Sequence, residues 1–186
     1  RRDAGKLANL ETLVSNLPIV GKVGIGHTRW ATHGEPSARN AHPHLGSTGK
    51  VVVVHNGIVE NFIELKEELI TSGVEFQSDT DTETIVLLIE KYMESGMDLE
   101  AAVRKTLSRL KGAHGVVVMS TLEPDRIIAA RIGNAGGVVI GLGQNENFIA
   151  SDIPAILDHT RRLIFLESRQ MAVVKKTSVD ISTVEG

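Results

Sequence analysis

Residues 24–44 read GIGHTRWATHGEPSARNAHPH, and they hold most of the side chains here that could do chemistry. His27, His33, His42 and His44 are four of the seven histidines in the chain, and Trp30 is its only tryptophan. Arg29 and Arg39 stand among them. A metal site is one reading, because His42 and His44 have H-x-H spacing and His27, His33 and His55 could lie near them. Against it, the chain has no cysteine and no H-E-x-x-H, and Pro43 keeps the pair extended, so metal is the minority reading. A clamp for a small carboxylate is a second reading. Arg29 offers a planar fork of donors, Thr32 and His33 add donors beside it, Gly34 lets the backbone turn, and Trp30 could close over the ligand. A solvated surface loop is the third.

Two further words carry chemistry. HNG at residues 55–57 follows four valines. Asn-Gly is a strong signal for a tight hairpin turn, yet an Asn amide and a Gly N–H at a strand end can also meet one oxyanion. SDTDTET at residues 78–84 places Asp79, Asp81 and Glu83 at a helix start, where the helix dipole favours acid. The alternative is that one of these carboxylates pairs with a substrate ammonium. The glycine pairs at 136–137 and 141–143 are turns, since no phosphate-loop lysine follows them.

These words must be held by a scaffold, and the apolar spacing outlines one. Helical spacing covers about 7–17, 61–73, 78–94 and 97–112. Ser78 with Asp81, and Thr80 with Glu83, have capping-box spacing. KVGIGHTRW reads as a strand running into the polar loop. The valine run at 51–54 reads as a strand buried on both faces. From residue 113 the period changes to short strands: AHGVVVMS, DRIIAARI, GGVVIGLG, ENFIAS, RLIFLES and MAVVKK, with a helical turn in SDIPAILDH. Strands, then helices, then a run of strands is not βαβ alternation, so two mainly antiparallel sheets with helices outside are expected in an α+β fold.

The bulk numbers bound the rest. A chain of 186 residues is the length of one domain, taken here as 1–186. Its net charge of −3 gives no general attraction to nucleic acid or an acidic membrane. No apolar run is long enough to span a bilayer. Absence of cysteine excludes disulfides and fits a cytoplasmic protein.

Taken together and in this order, HTRWATHG with NAHPH, VVVVHNGIVEN, SDTDTET and ENFIASD resemble the class II glutamine amidotransferases, a family of N-terminal nucleophile hydrolases. They are most similar to its branch that aminates fructose 6-phosphate. The resemblance implies a four-layer αββα sandwich. It implies hydrolysis of L-glutamine to glutamate and ammonia by an N-terminal cysteine, with no cofactor. It also implies partner sugar-isomerase domains in the same polypeptide and a homodimer through the parent. By the same resemblance, Asn56 and Gly57 form the oxyanion hole, Arg29 holds the substrate carboxylate with Thr32 and His33 beside it, Trp30 gates the ammonia exit, and Asp81 holds the α-ammonium. The family's opening Cys-Gly word is not in this sequence. The expectation is therefore a domain truncated at its N-terminus, binding glutamine but inactive alone. The alternatives are a non-catalytic glutamine-binding paralogue or the glutaminase domain of another class II enzyme.

Overall fold

A computed structural model describes residues 1–31 and 34–186. Three helices pack on one face of a large sheet, and a small sheet packs on the other. The large sheet contains β1 (His44–Leu45), β2 (Val51–Gly57), β3 (His114–Ser120), β4 (Arg126–Ile132), β8 (Gln170–Lys175) and β9 (Val179–Thr183), in the order β1-β2-β3-β4-β8-β9. The small sheet is β6 (Asn147–Ala150), β5 (Val139–Leu142) and β7 (Leu163–Phe165), with β5 in the middle. Every strand pair is antiparallel. The α+β class and the two antiparallel sheets therefore stand as expected.

Strand alternation explains the layers. Val51, Val53, Val116, Val118, Ile128, Ala130, Met171 and Val173 lie on one face of the large sheet. They pack against Leu65 and Leu69 of α2 (Phe62–Thr71), Ile85–Ile89 of α3 (Thr82–Glu94) and Leu99, Val103 and Leu107 of α4 (Leu99–Leu107). The opposite face presents Ala129, Ala172 and Val174 to Val138, Ile140 and Leu166, closing a second core between the sheets. Each large aliphatic buried in this way contributes about 1.5–3 kcal/mol. The outer face of the small sheet carries a thin fourth layer. A 3-10 turn at Ile153–Ala155 leads into buried Ile156, which a side chain on Gly141 of β5 would touch.

α3 is the central helix, and residues 82–90 are all buried. Its buried carboxylates are therefore committed to partners. Glu90 accepts from the backbone N–H and hydroxyl of Thr48, in the turn joining β1 to β2. A side chain on Gly46 in that turn would collide with the Glu90 carboxylate, so the turn and α3 fit each other closely. Glu83 accepts from the N–H groups of Gln77 and Ser78, both at 2.6 Å, and from the Ser78 hydroxyl. This replaces the expected capping-box pairing: the Asp81 side chain caps nothing, and Glu83 instead holds the loop in front of the helix.

Three expectations change. α1 (Leu7–Asn16) forms, but it buries no residue. Residues 22–30 run without ladder partners and form no strand. Extended chain becomes a strand only when another edge pairs with it, and no described strand does so here. β9 was not expected, because residues 179–183 alternate apolar with polar at a sheet edge and only two of them are even half-buried. Among the described residues no helix is long and apolar enough to cross a membrane.

Candidate active site

Residues 55–57 lie inside β2, which excludes the hairpin-turn reading of HNG. His55, Asn56 and Gly57 pair with Val116, Gly115 and His114 of β3. Gly57 has φ 132°, and a Cβ there would lie 2.2 Å from the Ala113 carbonyl oxygen. Only glycine suits that backbone and that approach. The end of β2 thus brings Asn56 and Gly57 to one wall of a cavity of about 280 Å³. Thr28, Arg29 and Trp30 from the polar loop, and Thr80, Asp81 and Thr82 at the start of α3, form its other walls.

Arg29, Trp30, Asn56, Gly57 and Asp81 accordingly line one cavity, with some detail that spacing could not give. Asp81 is buried, and its Oδ2 accepts the Val59 N–H at 2.7 Å. Its Oδ1 has no hydrogen bond among the described residues, and the residue lines the cavity. Arg29 donates from Nη2 to the Gly34 carbonyl at 3.0 Å and from Nη1 to the Glu35 carbonyl, which shapes its own loop. Trp30 is 93% exposed, so it is neither a core tryptophan nor a closed lid in this conformation. Thr32 and His33 lie outside the described residues.

Asn40 was not singled out from the sequence, although it opens the NAHPH word. It is fully buried. Its Nδ2 donates to the Glu35 carbonyl at 3.1 Å and to Asp79 Oδ2 at 3.3 Å, and its Oδ1 accepts the Asp79 N–H at 2.9 Å. Arg39 reinforces the same joint through Asp79 Oδ1 at 2.9 Å and the Gln77 carbonyl. One buried amide therefore ties the polar loop to the segment that carries Asp81.

Five histidines cluster at the cavity, and His27, His42 and His55 line it. His27 stacks on His42 with ring centres 4.2 Å apart, and the edge of His44 meets His42 at 4.8 Å. His42 Nδ1 accepts the His55 N–H. His55 bonds to Thr82 Oγ1 at 2.9 Å and to His114 Nδ1 at 3.1 Å, and His44 bonds to Thr80 Oγ1 at 3.0 Å. Burial is the main reason all five resist protonation. It holds His44 down to about 4 and His55 to about 3, and His42, also crowded by His27 and His44, to about 2. His27 and His114 move the same way for the same cause. These rings are therefore neutral near pH 7. The ring of His27 reaches Asn56, His44 and His55 reach threonines, and His55 also reaches His114; among the described residues no three metal-ligating side chains converge.

Chemically, this cavity offers an amide and a backbone N–H on one wall, a carboxylate opposite, and a guanidinium beside them. That set suits a small zwitterion bearing an amide. The glutamine amidotransferase domain family model matches residues 14–181. The chain is 46% identical over its whole length to the glutamine–fructose-6-phosphate aminotransferase (isomerizing) of Methanothermobacter thermautotrophicus, covering 32% of that protein. It is 48% identical over 97% of its length to the enzyme of the same name from Chlorobaculum tepidum, covering 30% of it. The chain thus spans about a third of the length of these relatives. Among solved structures, the allosteric regulatory enzyme of purine biosynthesis superposes with a TM-score of 0.72 at 25% identity, over 85% of this chain and 34% of that one. The match over residues 14–181 and the cavity at the end of β2 agree, and the chain belongs to the glutamine amidotransferase domain family.

Proposed function

We propose that this chain is the glutamine-hydrolysing domain of a larger cytoplasmic enzyme that supplies ammonia for the amination of fructose 6-phosphate. One observation carries the reading: Asn56 and Gly57 share a cavity with Arg29 and Asp81. In this reading the Asp81 carboxylate takes the substrate α-ammonium, and the Arg29 guanidinium takes the α-carboxylate. The side-chain amide then lies against Asn56 and Gly57. A cysteine thiolate of the intact protein attacks the amide carbon, and its α-amino group moves the proton. Negative charge develops on the amide oxygen, where the Asn56 amide and the Gly57 N–H stabilise it. The C–N bond breaks, ammonia leaves past Trp30, and water hydrolyses the thioester to glutamate. Sugar-isomerase domains of the same polypeptide receive the ammonia, and the intact enzyme is a homodimer.

The test is glutamate release. In the intact protein, Asn56→Ala should lower kcat by about 10²–10³, the usual loss for one oxyanion donor. A fall of less than about threefold overturns the oxyanion role. The cysteine-free chain by itself should match a buffer blank, and turnover by the rigorously purified chain would remove the thioester from the scheme.

A further inference from the structure

We infer that His27 is a positioning residue that sets which way the Asn56 amide faces, and so makes Asn56 a donor rather than an acceptor toward the substrate. The inference rests on the oxyanion role proposed above. His27 Nε2 lies 2.8 Å from Asn56 Oδ1. A carbonyl oxygen only accepts, so Nε2 carries the proton and donates. With Oδ1 held by His27, the Asn56 NH2 group points away from it, toward the cavity that Asn56 lines. Rotating the amide by half a turn would set NH2 against N–H and turn a carbonyl oxygen on the developing oxyanion.

The ring is itself held in place. It stacks on His42 at an interplanar angle of 18°, and His42 is fixed to β2 by the His55 N–H. Among the described residues His27 Nδ1 is buried without a hydrogen-bond partner, while Nε2 serves Asn56. A histidine that only filled space would have no reason to aim its donor at the one amide on the cavity wall. The stack transmits the strand's geometry to the amide: β2 places His55, His55 places His42, His42 orients His27, and His27 orients Asn56.

Three variants of the intact protein separate this role from packing. H27Q keeps an N–H donor at similar reach, H27E offers only an acceptor, and H27L offers neither. We expect H27E to lower kcat for glutamine hydrolysis by about 10²–10³, matching loss of the Asn56 donor, with KM for glutamine within threefold. H27Q should recover at least tenfold of that loss. In an Asn56→Ala background, H27E should cost less than a further threefold, because the group it disorients is gone. If H27E does not fold, as read by thermal unfolding, H27L against H27Q decides the same question without a charge. Equal losses in H27Q and the other variants, or full additivity with Asn56→Ala, overturn the positioning role. If Asn56→Ala lowers kcat while H27E and H27L do not, only the role of His27 fails. If Asn56→Ala itself leaves kcat intact, the oxyanion reading fails first.

Discussion

Asp81 divides its carboxylate between two tasks, and the division makes its function measurable. Oδ2 anchors the Val59 N–H, and the residue lines the cavity, where the reading above sets it against the substrate α-ammonium. Asp81→Asn keeps an acceptor for Val59 but removes the charge. Thermal stability of the intact protein should hold within a few degrees. Glutamine binding should weaken by about 1.5–3 kcal/mol, the range for a hydrogen bond to a charged group. An analogue without the α-amino group should lose much less between wild type and variant. Equal losses for both ligands, or a fall in stability with binding unchanged, would make Asp81 a purely structural anchor. The sequence singled out this residue by its neighbours, but it offered helix capping as the rival explanation. The structure removes that rival, because the side chain bonds a backbone N–H 22 residues away rather than the first turn of α3.

At the scale of elements, the site depends on joints between segments more than on any one helix or strand. Asn40 is the clearest joint, spanning Glu35 and Asp79 with one amide. Asn40→Ala leaves the Asp79 N–H without its acceptor, while the Glu35 carbonyl keeps its second donor, Arg29; a group left unsatisfied costs about 1–3 kcal/mol. Freeing the polar loop should raise KM for glutamine by tenfold or more while kcat falls less. Steady-state kinetics with a denaturation curve check both, and a pure kcat loss would refute the joint. The helices over α2, α3 and α4 and most strands were legible because apolar spacing reports burial directly. Joints such as this one were not legible, because a buried Asn has the same spelling as an exposed one. Residues 22–30 misled for a related reason: local pattern specifies extended chain, while pairing depends on a partner elsewhere. HNG misled because Asn-Gly also suits a strand end whose glycine must pass close to the Ala113 carbonyl.

For the molecule as a whole, five neutral histidines packed between the polar loop, β2 and β3 make folding sensitive to acid. In the unfolded chain each histidine takes a proton near pH 6.5. In the folded chain burial holds His44 to about 4, His55 to about 3 and His42 to about 2, with His27 and His114 lowered as well. Below pH 6.5 the unfolded state therefore binds more protons than the folded state, so stability is lost as pH falls and is regained above pH 6.5. The loss runs from about 6.5 down through the folded values. Uptake of two to three protons on unfolding corresponds to a slope of about 3–4 kcal/mol per pH unit near pH 5. From pH 6.5 to pH 4 that removes about 8–10 kcal/mol, so a domain in the lower half of the usual range of about 5–15 kcal/mol should unfold before pH 4. Denaturant titrations of this chain at pH 7, 6 and 5 measure the slope. His44→Gln keeps an amide donor near Thr80 but cannot titrate, so it should reduce the slope by about 1.4 kcal/mol per pH unit. Coincident midpoints at pH 7 and pH 5, or a slope that His44→Gln leaves unchanged, would mean that the cluster takes up protons without unfolding. The rings could not then be held neutral by burial.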